Sequence, residues 1–301
     1  MRNRTCIAMV SLTVLAAACG GETPETADDR PTIVATTSIW GDVVAQIVGE
    51  DANVQVVVPN GADAHEYEAT PRQVAELIEA DLAVANGLEL EAGLEDLLET
   101  ARADGANIYE VAPDLEPIVF PSHEHDLDPH VWFDPERVTL AARLIAEHLA
   151  EIDGSIDWEA RAAEYAIDLG EVDQEMAATL ERVAPEDRKL VTNHESLGYL
   201  ADRYGFEVIA VVIPGGSSLG EPSSAEMAAL VSEIEEEGVD VIFAETTQPT
   251  RLADAVAAEV GDDVDVVELY TESLGDPGSG ADTLIGMLST DAGLIGDALT
   301  S

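Results

Sequence analysis

The chain has 301 residues, of which 46% are hydrophobic, 62 are acidic and 13 are basic, and its formal net charge at pH 7 is −49. This length allows one or two domains with a sizeable core, and the hydrophobic content excludes a fully disordered chain. The negative charge argues against a nucleic-acid-binding protein, as does an aromatic content of only 4%. It suits a cationic ligand or a salt-rich environment.

The N-terminus has the pattern of a bacterial export signal. Two arginines precede an apolar run over Cys6–Ala18, which is short for a membrane span. Three alanines then precede Cys19, which resembles a lipobox, where cleavage leaves a cysteine that carries lipid. We predict a signal peptide over 1–18 and a lipidated flexible tether over 19–31, and the alternative is an ordinary secretory signal. The mature protein is then anchored to the outer face of the cytoplasmic membrane and has no free thiol.

After the tether, strands alternate with helices, which predicts parallel βαβ units. The predicted strands of the first half are TIVATTS (32–38), NVQVVVP (53–59) and DLAVANG (81–87). Between the last two lies a helix with Thr70 as its N-cap and Pro71 at its first position. The order recurs in KLVTNHESLGYLADRYG, EVIAVVIP, PSSAEMAALVSEIEEEG and VDVIFAE. We interpret the recurrence as two similar lobes.

One long amphipathic helix is predicted between the lobes, because apolar residues recur every three or four positions over 158–184. The expected fold is α/β, with two similar lobes of parallel sheet joined by this helix and a ligand cleft between them. The predicted limits are 32–153 for the N-terminal lobe, 154–187 for the linking helix and 188–301 for the C-terminal lobe.

Three of the six histidines lie where ligands bind in open parallel sheets. His65 and His194 follow predicted strands of different lobes, and His130 lies just before a helix that Asp134 caps. Three imidazoles that converge on a cleft suit zinc or another first-row divalent metal. His148 lies within that helix, and we expect it to have no ligand role.

A fourth ligand should be a carboxylate, because no thiol remains after processing. Spacing alone cannot choose it among 62 acidic residues. The candidates are Glu66, Glu195, Glu245 and Glu272.

Four segments resemble the metal-binding, substrate-binding lipoproteins of zinc and manganese ABC transporters. They are HEYEATP, DPHVWFDP, NHESLGYLADRYG and YTESLGDPGSGADTLIGML. The resemblance implies a metal bound by His65, His130, His194 and Glu272, where the family usually has aspartate at the last position. It also implies two α/β lobes joined by a long helix, delivery of the metal to an ABC permease, and no enzymatic activity. We expect a monomer.

Nitrogen-rich ligands favour Zn²⁺, whereas Mn²⁺ prefers carboxylate and water, so zinc is the predicted cargo and manganese the alternative. The ligands must be deprotonated, so binding should fail below about pH 6.5, the ordinary histidine pKa. A loop with His123, His125, Asp126 and Asp128 could capture metal for His130, although a plain solvated loop is the favoured interpretation.

Two other classes of function fit parts of the pattern. In a zinc-dependent hydrolase the three histidines would hold the metal, with Glu195 or Glu66 as general base. No HExxH motif is present, which argues against it. A surface adhesin with a structural metal is the third hypothesis.

Overall fold

The computed structural model describes residues 30–120, 126–213, 222–261 and 263–300. The predicted signal peptide, the lipidation site at Cys19, nearly all of the tether, and the loop histidines His123 and His125 lie outside these residues. Within the described part of the chain, no helix combines the length and the apolar character that a membrane span requires.

The first lobe is built on a parallel sheet of four strands in the order β2-β1-β3-β4. Its strands are β1 (Thr32–Ala35), β2 (Asn53–Val56), β3 (Leu82–Ala85) and β4 (Ile108–Glu110). Its helices are α1 (Ser38–Val48), α2 (Pro71–Glu79), α3 (Glu95–Ala103) and α4 (Pro135–Ile152). The predicted start of α2 is confirmed, since Thr70 accepts a hydrogen bond from the Gln73 amide and Pro71 is the first helical residue.

The second lobe repeats this topology, with a parallel sheet in the order β6-β5-β7-β8. Its strands are β5 (Lys189–Thr192), β6 (Glu207–Val211), β7 (Val241–Glu245) and β8 (Asp265–Leu269). Its helices are α6 (Gly198–Tyr204), α7 (Ser224–Glu237), α8 (Arg251–Val260) and α9 (Leu284–Ala298). The two identical strand orders confirm the predicted pair of similar α/β lobes.

Between the two sheets in the sequence lies α5 (Trp158–Leu180), a helix of 23 residues. At 1.5 Å per residue it is roughly 35 Å long. It packs against α1 and α4 of the first lobe and α9 near the C-terminus. The helix ends at Leu180, although the apolar pattern continues to residue 184 and the predicted limit is residue 187, and a short 3₁₀ turn begins at Pro185.

Arg203 of α6 connects this helix to both lobes. Its guanidinium forms a double hydrogen bond with Asp173 of α5, at 2.7 Å to each carboxylate oxygen. It also forms ion pairs with Asp134, at 2.9 Å, and with Glu136, at 3.1 Å, both at the N-terminus of α4. Because α4 follows His130 and α6 follows His194, Arg203 fixes the relative position of the two segments that carry these histidines.

Replacing Gly170 with alanine should stabilise the protein. Gly170 lies within α5, and an added Cβ would meet no atom within 4 Å. Alanine reduces the conformational entropy of the unfolded chain, so we expect the free energy of unfolding to rise by about 1 kcal/mol in thermal denaturation. The matched variant Gly286→Ala should act in the opposite direction, because its Cβ would lie 2.4 Å from the Gly280 carbonyl oxygen. A Gly170→Ala protein that melts below wild type would contradict this prediction.

Candidate metal centre

Four side chains from both lobes meet between the two sheets. His65 lies in the loop after β2, His130 lies just before α4, His194 follows β5, and Glu272 follows β8. All four are at most 2% exposed, and each offers one ligand atom within 4.8 Å of the others. Of the carboxylates that the sequence offered as a fourth ligand, Glu272 is the one in this group.

The spacing of these atoms fits a small divalent cation. His130 Nε2 lies 3.2 Å from His194 Nε2, and Glu272 Oε1 lies 3.3 Å from each of them. The other carboxylate oxygen, Oε2, lies 3.5 Å from His65 Nε2. In a tetrahedral zinc site with bonds of about 2.0–2.1 Å, neighbouring ligand atoms are about 3.3 Å apart. The triangle formed by His130, His194 and Glu272 therefore has the dimensions of one face of such a site.

Two further carboxylates orient the imidazoles. Asp128 Oδ1 lies 2.7 Å from His130 Nδ1 and also accepts a hydrogen bond from the His130 amide at 2.9 Å. Glu245 contacts Nδ1 of His194. Since a carboxylate holds the proton on Nδ1, the neutral form of each imidazole turns the lone pair of Nε2 towards the centre, as in many metal sites.

Three of the atoms that face the centre lack a hydrogen-bond partner in the described part of the chain. Neither oxygen of Glu272 has a hydrogen-bond partner among the described residues, and the same is true of His65 Nε2. Buried polar atoms of this kind are costly unless something satisfies them. A bound cation would do so for all three atoms at once.

In the centre, burial and the neighbouring charges shift the pKa values of the ligands in opposite directions, and the neighbouring charges have the larger effect. Burial disfavours a charged imidazole, but the carboxylates of Glu272 and Asp128 outweigh this and raise the pKa of His130 to about 9. For His194, burial is likewise outweighed by Glu245 and Glu272, which raise its pKa well above the ordinary value. Burial would raise the pKa of Glu272, but the three histidines, His130 foremost, hold it well below its usual range. The metal-free centre therefore holds protons where a cation would bind.

Buried hydrogen bonds fix the segments that carry the ligands. Asn86 donates to the carbonyl of Pro129, at 3.1 Å, and accepts from the indole of Trp40 at 2.8 Å. Trp132 donates to the carbonyl of Thr271, at 3.0 Å, and thereby joins the residues beside His130 and Glu272 across the lobes. The ligand positions are thus set by both lobes together.

The remaining candidates from the sequence lie elsewhere or have another role. Glu66 is exposed, Glu195 is buried but outside the group of four, and Glu245 contacts His194. His148 lies on α4 with its ring 4.0 Å from that of Tyr109, away from the centre.

Sequence reasoning did not recognise the two orienting carboxylates. The sequence favours a solvated loop around Asp128, with metal capture as the alternative, whereas the structure buries Asp128 fully behind His130. The sequence offers Glu245 as a candidate ligand, whereas the structure places it against Nδ1 of His194. The available signal was position: Asp128 lies two residues before His130, and Glu245 ends the strand next to the one that His194 follows.

Comparison with known proteins identifies the family. Residues 33–298 match the family described as "Zinc-uptake complex component A periplasmic". The chain is 31% identical over 293 residues to the manganese-binding lipoprotein MntA of Halalkalibacterium halodurans, covering 95% of each chain. It is 29% identical over 310 residues to the zinc-binding protein TroA of Treponema pallidum, covering 99% of each.

Solved structures agree with this relationship. The periplasmic zinc-binding protein TroA from Treponema pallidum superposes with a TM-score of 0.81 at 28% identity, covering 90% of this chain and 99% of that one. The Mn-bound periplasmic metal-binding protein from Candidatus Liberibacter asiaticus gives a TM-score of 0.79 at 26% identity, covering 90% and 100%. From its sequence and its fold alike, the chain belongs to the family of periplasmic component A proteins of zinc-uptake complexes.

Proposed function

We propose that this protein captures a divalent metal ion outside the cytoplasm and delivers it to an ABC permease, with zinc as the favoured cargo. The observation that carries the proposal is the buried group of His65, His130, His194 and Glu272, drawn from both lobes. A metal bound by both lobes stabilises the conformation in which they are together, which a permease can recognise. Relatives named as zinc-binding and manganese-binding proteins support the same function.

Two features favour zinc over manganese. Three imidazoles make a nitrogen-rich site, whereas Mn²⁺ prefers carboxylate and water oxygens. The spacing of 3.2–3.3 Å within the triangle of His130, His194 and Glu272 also suits the short bonds of a tetrahedral zinc ion. A manganese carrier is the alternative, as in the MntA relative.

A binding protein fits the site better than a hydrolase. A catalytic zinc site keeps one position open to water and substrate. Here all four proposed ligands are nearly inaccessible, and Glu66, one of the two candidate bases, is exposed and outside the group. For an adhesin, the sequence offers no partner surface beyond its many acidic residues.

Attachment to the membrane is part of the proposal. Lipid on Cys19 would hold the protein at the outer face of the cytoplasmic membrane, with residues 19–31 as the tether. The naming of relatives as lipoproteins supports this arrangement. We further propose that the protein acts as a monomer with the lobe limits given above.

Equilibrium dialysis tests the proposed function. The chelator-stripped chain is dialysed against buffered zinc and manganese together, and bound metal is counted per chain. We expect one zinc per chain, for wild type and equally for His148→Ala, which removes a histidine outside the centre. Preferential loading of manganese would overturn the choice of zinc. Failure to bind either ion stoichiometrically would contradict the function itself.

A further inference from the structure

We propose that a polar clasp fastens the loop carrying His65 to the second lobe, and that this clasp sets the rate at which the metal leaves. The clasp consists of Asn60, Gly61 and Asp63 on the loop and of Gln248, Ser273 and Gly275 on the second lobe. The inference rests on the proposed metal-binding function and adds residues that control release.

Three hydrogen bonds of 2.8 Å form the clasp. The side-chain amide of Asn60 donates to the carbonyl of Gly275, and the amide of Gly61 donates to the hydroxyl of Ser273. The side-chain amide of Gln248 donates to Oδ2 of Asp63. The loop belongs to the first lobe by sequence, but these three bonds hold it to two loops of the second lobe.

The clasp is adjacent to the metal ligands on both sides. The other oxygen of Asp63, Oδ1, accepts a hydrogen bond from the His65 amide at 2.8 Å. Ser273 directly follows Glu272, and Gln248 lies three residues after Glu245, which contacts His194. Opening the clasp therefore frees the loop that supplies one ligand from the segments that supply or orient two others.

Burial of the ligands makes the clasp a barrier to release. Because His65 and Glu272 are at most 2% exposed, the metal cannot leave until the surrounding segments separate. Separating the His65 loop from the second lobe breaks all three bonds of the clasp. Asn60 is exposed and Gln248 is half-buried, so water can replace their partners once they part. Contacts broken on the way out act mainly on the dissociation rate.

The test is metal release from Gln248→Ala and Asn60→Ala. The purified chain is loaded with zinc and mixed rapidly with an excess of a chromogenic chelator, which reports the dissociation rate. Each variant loses one hydrogen bond, so we expect dissociation about fivefold faster for either and about 25-fold faster for the double variant. The association rate should stay within twofold of the wild-type rate. A general loss of stability would not change the dissociation rate alone.

Gln46→Ala is the matched control. Gln46 is exposed and donates to a carboxylate, Asp42, at 3.1 Å, but both residues lie on α1 within the first lobe. It should release zinc at the wild-type rate. Should Gln248→Ala fail to fold, Asn60→Ala still tests the clasp, because its side chain is exposed.

The outcomes separate the clasp from the function on which it rests. If wild type and variants load one zinc and release it at the same rate, the clasp is overturned and the binding function stands. The clasp would also be overturned if the variants changed the association rate as much as the dissociation rate. Faster release from Gln46→Ala would overturn it too. If wild type takes up no zinc, the proposed function fails, and the clasp fails with it.

Discussion

Replacing Glu272 with glutamine should weaken zinc binding by more than about a hundredfold, because loss of even an outer partner of a metal ligand costs 10- to 100-fold. Glutamine keeps the size of the side chain but removes its charge. It also offers one oxygen where the carboxylate has two, and those two face all three histidines. Competition with a chromogenic chelator of known affinity at pH 7.5 measures the change.

Glu66→Gln is the control for this change. It removes the same charge beside His65, but Glu66 is exposed and outside the group of four, so the affinity for zinc should remain at the wild-type value. Glu272→Asp keeps the charge and shortens the side chain by one methylene, so we expect an affinity between those of wild type and Glu272→Gln. Wild-type affinity in Glu272→Gln would show that this carboxylate is not a ligand.

Local patterns predicted most of the architecture because each element carries its own signal. The apolar stripe of α5 marks a helix whose buried face includes Trp158, Leu169 and Leu180. The Thr70-Pro71 pair marks the start of α2. By contrast, β4 spans only Ile108–Glu110, which is too short to show an alternating pattern, and the sequence did not predict it.

The histidines of the centre were easier to predict than its carboxylates. Histidine is rare in this chain, so three imidazoles beside strand ends form a specific pattern. Acidic residues are too abundant for spacing to single out Glu272, and its place depends on how β8 pairs with β7.

Contacts between residues that are far apart in the sequence could not be predicted from local sequence patterns. Glu245 lies 51 residues from His194, and Gln248 lies 185 residues from Asp63. Both contacts follow from strand order and from the way the lobes meet, which no short segment of sequence encodes. The orienting carboxylates and the clasp therefore emerge only from the fold.

Zinc affinity should rise steeply between pH 6.5 and pH 8.5. The sequence alone places the threshold near pH 6.5, but the carboxylates around the centre outweigh burial and raise the pKa of His130 to about 9. Zinc binds the neutral imidazole, so each bound zinc displaces the His130 proton throughout this range. Affinity then rises about tenfold per pH unit, or roughly a hundredfold over the interval. The raised pKa of His194 makes the rise of zinc affinity with pH steeper still.

The protons on these histidines also stabilise the metal-free protein. This stabilisation decreases as the pH rises, whereas the affinity for zinc increases. A histidine with a pKa raised on folding contributes its full stabilisation below the unfolded value of about 6.5. For His130 that contribution disappears as the pH rises towards 9. Metal-free protein should therefore lose stability over the range in which zinc binding strengthens. Thermal unfolding without metal at pH 6.5 and pH 8.5 measures this change.

Titration calorimetry in buffers of different ionisation enthalpy counts the protons released by zinc at pH 7.5. We expect at least one, because His130 is protonated there in the metal-free protein. Asp128→Asn removes one of the two carboxylates that raise the pKa of His130, so it should release fewer protons and shift the rise in affinity to lower pH. Glu66→Gln should release as many protons as wild type, since Glu66 lies outside the centre. An affinity that stays flat between pH 7 and pH 8.5, with no proton released, would mean that the histidines are already neutral and that the carboxylates do not hold protons on them.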